Sequence, residues 1–252
     1  MTVHFVGAGP GAADLLTLRA VRLLAEADVV LYPGTYLDAD TLAHCGPDTR
    51  LVDTQDLDLD QITDVMVTAD RAGTSVVRLC SGDPSLYSAL TEQSRRLDAA
   101  DVAWDVTPGV PAYAAAAARL GRELTVPLLA QSVVLTRVQA RSTAMPERES
   151  LAAFAATGAT LVLHLAITRT REVAESLVGD YGAACPAAVV GHASQPREVV
   201  LTGTLADIAD QVEAAGLRQG AVILVGPALD PAAVAESYLY DATRDRSTKR
   251  PL

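Results

Sequence analysis

Three times in the first half of this chain an apolar, strand-like run ends in a loop rich in glycine and proline. Val3-His4-Phe5-Val6 leads into Gly7-Ala8-Gly9-Pro10-Gly11, Ser75-Val76-Val77-Arg78-Leu79 into Ser81-Gly82-Asp83-Pro84, and a run near Val102 to Val106 into Thr107-Pro108-Gly109-Val110-Pro111. Helical patterns follow at about Thr17 to Glu26, Ser85 to Ala99 and Ala112 to Leu120. Two more strands, Asp28-Val29-Val30-Leu31 and Arg50-Leu51-Val52, and a helix at about Asp58 to Ala72 complete the pattern. Strands alternating with helices of this length make an α/β fold with a mostly parallel sheet. In such a sheet the three loops share the carboxyl edge, where open α/β sheets bind small ligands.

The second turn has two readings. Asp83 can cap a helix beginning at Ser85 and Pro84 suits its first position, where proline's missing N–H would be unpaired anyway. That describes a well-made strand-to-helix turn, and the same turn at a carboxyl edge is a ligand-binding loop. The alanine-rich stretch Ala112 to Leu120 likewise suits close packing. Gly7, Gly9 and Ala12 satisfy the loose form of the dinucleotide-binding fingerprint, but two details oppose an NAD-linked oxidoreductase. Pro10 removes an N–H where a pyrophosphate would approach, and the second strand ends in Tyr32-Pro33 with no acid to take a ribose hydroxyl.

Gly121 to Pro127 breaks the alternation and reads as a linker. It separates a first domain, 1–120, from a second, 121–229, with a tail at 230–252. In the second domain, Val133-Val134-Leu135, Thr160 to Leu165, Ala187 to Val190, Glu198 to Thr202 and Ala221 to Val225 read as strands. Helices fall at about Glu149 to Ala156, Thr170 to Val178 and Leu205 to Ala215. Gly191 to Arg197 is too short for a helical crossover, so the strands flanking it pair antiparallel and the second sheet is mixed.

Composition narrows the function. A net charge of −11 over 252 residues argues against nucleic acid as the main partner. No run approaches about 18 uninterrupted apolar residues, and the N-terminus enters a strand without a basic leader, so a cytoplasmic protein with no membrane partner is expected. Cys45, Cys80 and Cys185 stand alone, which favours neither a disulfide framework nor a thiolate metal site. His4, His44, His164 and His192 are widely spaced, two of them in apolar runs, so packed or solvated histidines are expected and no metal.

Several motifs occur together and in order: Val6-Gly7-Ala8-Gly9-Pro10-Gly11, Asp14-Leu15-Leu16-Thr17, Ala27 to Tyr32, Arg78 to Pro84 and Thr107-Pro108-Gly109-Val110. In this the chain resembles the tetrapyrrole methylase family over roughly residues 3 to 229. The resemblance implies two α/β domains with the active site in the cleft between them, S-adenosylmethionine as methyl donor, a tetrapyrrole as substrate and a homodimer. Leu135 to Ser142, running on to Pro146-Glu147, is similar to the segment that marks precorrin-4 C(11)-methyltransferases, with departures at Ala140, Ser142, Thr143 and Ala144. Uroporphyrinogen-III methyltransferases carry an aspartate where this chain has Pro33 and a catalytic lysine where it has Thr54. Methyl transfer to carbon 11 of precorrin-4, giving precorrin-5 in cobalamin biosynthesis, is therefore the expected activity. Transfer to another tetrapyrrole carbon, on precorrin-2, precorrin-3 or uroporphyrinogen-III, stays open beside it, as does a non-catalytic sensor of a nucleotide-like ligand.

Carried over residue by residue, the resemblance implies cofactor contacts from Pro10, Ser81, Gly82, Asp83, Leu86, Pro111 and Ala112, and from Leu165, Ala193 and Ala221. This mostly small and apolar set suits a ligand that brings no phosphate to neutralise. For the substrate's carboxylates, Arg137 and Arg141 just beyond a strand offer bidentate partners, and equally read as solvated surface arginines. Tyr32 and Tyr87 are candidates to pack on the macrocycle, or in the core. No catalytic base is assigned.

Overall fold

The computed structural model describes residues 2–34, 37, 39–138, 144–230, 232, 236–238 and 241–244. The chain divides into two compact units, Met1–Arg119 with His192–Glu198, and Leu120–Gly191 with Val199–Leu252.

The first unit is built on β1 (Thr2–Gly7), β2 (Val29–Tyr32), β3 (Arg50–Asp53), β4 (Val76–Cys80) and β5 (Ala103–Thr107), in the order β3-β2-β4-β1-β5. Every pairing is parallel. Helices α1 (Leu18–Glu26), α2 (Ala39–Leu42), α3 (Leu59–Arg71), α4 (Leu90–Ala99) and α5 (Ala112–Leu120) connect or follow the strands. Apart from Arg78 on β4 and His4 on β1, the inner strands are largely apolar on both faces because both are covered. Val6, Val30, Val77 and Leu79 pack with Ala20 and Leu24 of α1. Their neighbours Val3, Phe5, Val29, Leu31 and Val76 point the other way, to Ile62 and Met66 of α3 and Leu97 of α4.

Side-chain caps mark the starts of α1 and α3. The Thr17 side chain accepts the Ala20 N–H at the head of α1. Asp58 and Gln61 form a reciprocal capping box on α3. The expected helix from Ser85 does not form: α4 begins at Leu90, after a stretch in which Tyr87 and Ala89 adopt left-handed backbone (φ 55° and 54°). Asp83 caps no helix. Its carboxylate closes a turn on Ser85 and reaches across to another loop. The apolar spacing of 85–99 reads as one helix because Leu86 and Leu90 fall on a helical stripe, although the backbone between them turns.

The second unit holds β6 (Val133–Arg137), α6 (Leu151–Ala155), β7 (Thr160–His164), α7 (Thr170–Tyr181), β8 (Pro186–Gly191), β9 (Val199–Thr204), α8 (Ile208–Ala215) and β10 (Ala221–Val225). Its sheet, ordered β6-β7-β10-β8-β9, is mixed: β6 and β7 are parallel, and β10 runs antiparallel to β7 and β8. The expected antiparallel pair is β8 with β9. Leu161, Leu163, Val189, Ile223 and Val225 form its core with Val173 and Leu177 of α7 and Ile208 and Val212 of α8. The α/β fold with one parallel and one mixed sheet is thus the one the sequence pattern implies. Among the described residues no helix is long and apolar enough to cross a membrane. No group of three or more His, Cys, Asp or Glu among them is placed to hold a metal ion.

Candidate active site

Strands β4, β1 and β5 are neighbours in a parallel sheet, so the three Gly/Pro loops leave one edge side by side. The chain leaves β1 through α1 toward β2, and leaves β4 through α4 toward β5, with α1 and α4 on opposite faces. Adjacent strands whose connections depart in opposite directions leave open space at their carboxyl ends, the usual ligand position in such sheets.

Backbone holds these loops together. Gly9 and Gly82 exchange N–H to carbonyl bonds of 3.1 and 2.9 Å, and the Ala8 N–H donates to the Cys80 carbonyl at 2.8 Å. A Cβ at Gly7 would lie 2.8 Å from the Gly82 carbonyl oxygen, and one at Gly109 would lie 2.8 Å from the Gly7 Cα. Asp83 ties the third loop in: one carboxylate oxygen accepts the Gly109 N–H at 2.8 Å, the other the Ser85 N–H at 2.9 Å and the Ser85 hydroxyl. Partial burial alone would raise its pKa, but hydrogen bonds from the Ser85 hydroxyl and the Gly109 and Ser85 N–H groups outweigh it, so the carboxyl lies below its ordinary range. Cys80, at the end of β4, is pushed the other way, to about 11, by burial.

A fourth segment joins these loops from far along the chain. His192–Glu198, between β8 and β9, belongs to the first unit. The Ala12 N–H donates to Ser194 Oγ at 3.0 Å and Gln195 Nε2 to the Pro10 carbonyl at 3.3 Å. A Cβ at Gly11 would lie 3.1 Å from the Ala193 carbonyl oxygen. His192 and Ser194 have left-handed backbone (φ 50° and 63°). Glu198 secures the turn by accepting the Ser194 N–H at 2.8 Å and pairing with Arg119. The structure therefore collects Pro10, Ser81, Gly82, Asp83, Pro111, Ala112 and Ala193 around one set of loops in the first unit. Leu86 sits half-buried in the turn after Asp83. Ser194, Gln195 and Glu198 were not singled out in the sequence, where nothing local ties them to Pro10.

In the second unit, Leu165 and Ala221 lie on one edge of the mixed sheet. Leu165 follows β7 directly, 63% exposed and with left-handed backbone (φ 52°). Ala221 opens the antiparallel β10 and pairs with Gly191, the last residue of β8. Arg137 ends β6 on the same edge, in register with His164. It lies within the strand, not beyond it, and with Arg169 and Glu147 it lines a cavity of about 590 Å³. Arg141 lies outside the described residues. Tyr32 ends β2 against the core on the α1 side, whereas Tyr87 is exposed. Thr54 is buried, its hydroxyl donating to the Tyr32 carbonyl at 3.0 Å.

Residues 2–209 match the family model described as Tetrapyrrole (Corrin/Porphyrin) Methylases. The chain belongs to this family. The methylase is 56% identical over 98% of its length to the whole of a Rhodococcus erythropolis protein named precorrin-4 C(11)-methyltransferase. An X-ray structure of a cobalamin biosynthetic enzyme, cobalt precorrin-4 methyltransferase, superposes on the methylase with a TM-score of 0.88 at 37% identity, covering 91% of this chain and 96% of that one. The uroporphyrin-III C-methyltransferase of Thermus thermophilus, solved with S-adenosyl homocysteine, reaches a TM-score of 0.76 at 30% identity, over 91% of the methylase and 99% of that chain. The methylase is an enzyme of methyl transfer, and its family and that complex imply S-adenosylmethionine as donor.

Proposed function

We propose that this methylase transfers a methyl group from S-adenosylmethionine to carbon 11 of precorrin-4, giving precorrin-5 in cobalamin biosynthesis. The observation that carries the reading is 56% identity, end to end, with a relative named for that reaction. Pro33 and Thr54, in place of an aspartate and a lysine, support it over uroporphyrinogen-III, and a buried, hydrogen-bonded Thr54 offers no amine.

The loops suit the donor. They are built by close glycine contacts and carry no lysine or arginine from Gly7 to Ala12, Ser81 to Ala89 or Thr107 to Pro111. Such a cradle fits a ligand that brings no phosphate, recognised by backbone groups and shape. In this reading Pro10, Ser81, Gly82, Asp83, Leu86, Pro111, Ala112 and Ala193 hold the cofactor with Leu165 and Ala221, while Arg137, Arg141, Tyr32 and Tyr87 take the tetrapyrrole. When bound, the sulfonium supplies an already activated methyl group. The chain's task is to align it with a nucleophilic ring carbon and keep water out, effects together worth several kcal/mol or more of barrier. No side-chain nucleophile is required. A homodimer working in the cytoplasm completes the proposal, supported by the resemblance alone; light scattering on the purified chain tests the dimer.

Turnover separates the substrates. S-adenosylhomocysteine release should be fast with precorrin-4 and at least about a hundredfold slower with precorrin-3 or uroporphyrinogen-III, a gap of roughly 2.7 kcal/mol in transition-state binding. Equal rates with uroporphyrinogen-III would overturn the assignment.

A further inference from the structure

Arg78 sits on β4, the middle strand of the parallel sheet, and is only 8% exposed. Among the described residues its guanidinium has no carboxylate partner: Nε donates to Gln93 Oε1 at 3.1 Å and Nη1 to the Leu79 carbonyl at 3.1 Å. A buried charge is tolerated only where its N–H groups find acceptors. Gln93, on α4 and 2% exposed, supplies one of them.

This bond fixes the amide. An arginine nitrogen can only donate, so the Gln93 oxygen must face Arg78 and its NH₂ must face away. That NH₂ donates to the Ser88 carbonyl at 3.2 Å and the Ala89 carbonyl at 3.1 Å. These carbonyls belong to the turn in which Tyr87 and Ala89 adopt left-handed backbone. Non-glycine residues occupy that region at a cost and persist there when surrounding bonds over-determine them.

We infer that Arg78 and Gln93 are positioning residues: the guanidinium orients the Gln93 amide, which holds the Ser85–Ala89 turn in its left-handed form and so sets the cofactor loop that begins at Asp83. The inference rests on the proposed function only in taking this loop to be the cofactor's. Neither side chain is assigned a contact with the ligand.

Gln93→Glu separates the roles. A carboxylate at 93 still accepts from Arg78 and pairs the buried charge, but it has no N–H to give the Ser88 and Ala89 carbonyls. Hydrogen exchange of the ligand-free full chain is expected to rise about tenfold or more in 85–89 while β4 stays protected. Calorimetry is expected to show S-adenosylmethionine affinity falling about tenfold, with kcat at saturating cofactor changed much less. Unchanged exchange at 85–89 in a folded variant overturns the relay. Faster exchange with wild-type affinity overturns the link from relay to cofactor binding and leaves the wild-type substrate assay untouched. If Gln93→Glu fails to fold, Gln93→Met, which removes both sets of bonds, and Arg78→Lys, which keeps the charge but not the fixed fork, give the same readings with the same criteria.

Discussion

At Gly109 an added methyl group would lie 2.8 Å from the Gly7 Cα and closer still to the Gly82 carbonyl oxygen. Both neighbours are backbone of adjacent loops and cannot swing aside. Gly109→Ala is therefore expected to destabilise the protein by about 1–3 kcal/mol, as overpacking usually does, and to weaken S-adenosylmethionine binding more than that figure alone would require. Thermal melts beside calorimetry check this. Asp83→Ala removes the anchor of the Ser85 and Gly109 N–H groups; hydrogen bonds to a charged group contribute about 1.5–3 kcal/mol each when intact, and cofactor affinity is expected to fall in a protein that still folds. The carboxyl's folded pKa is depressed, so its contribution is fully present above the unfolded value near 3.8 and is lost as pH falls through the lower folded value. Amide protection at Ser85 and Gly109, followed by NMR from neutral to acid pH, should stay flat until that range. The chemistry at these residues was legible in the sequence because glycine, aspartate and proline each have few structural uses. What the sequence did not disclose was which loop Asp83 bonds: a cap on the following turn and a tie to Gly109 need the same side chain.

Among the elements, α3 carries the most complete local signal, and Asp58→Ala should cost about 1 kcal/mol through loss of its cap. The urea midpoint should shift while S-adenosylmethionine affinity stays put, since the cap touches none of the loops. Glu198→Gln is expected to do the opposite. It weakens the link to Arg119 that secures the Ala193 segment, so cofactor affinity should drop with little change in melting temperature. Strand positions were readable to within a residue or two, because buried parallel strands are mostly apolar runs and the short break after Val190 forces an antiparallel return. The start of α4 was not: periodicity ran straight through Leu86, while two left-handed residues, neither of them glycine, broke the helix.

On the scale of the whole molecule, the segment His192–Glu198 was the feature furthest from sequence reasoning. It lies between two strands of the second sheet yet bonds to Pro10 and Ala12, a partnership across more than 180 residues that no periodicity reveals. Substrate charge also acts at this scale. An acidic chain must bring local cations to a substrate rich in carboxylates, and changing Arg137 and Arg141 together to alanine is expected to raise the KM for precorrin-4 without altering that for S-adenosylmethionine. Salt should raise the wild-type KM more steeply than the variant's, because exposed charges are screened over about 10 Å at 0.1 M ionic strength. Precorrin-4 incubated with the wild-type chain and S-adenosylmethionine labelled with carbon-13 in its methyl group should yield a product one methyl heavier, with a single enriched methyl resonance, from the methyl attached to carbon 11. An enriched methyl group on any other ring carbon, or an unmodified tetrapyrrole recovered from an enzyme that binds the cofactor, would exclude transfer to carbon 11.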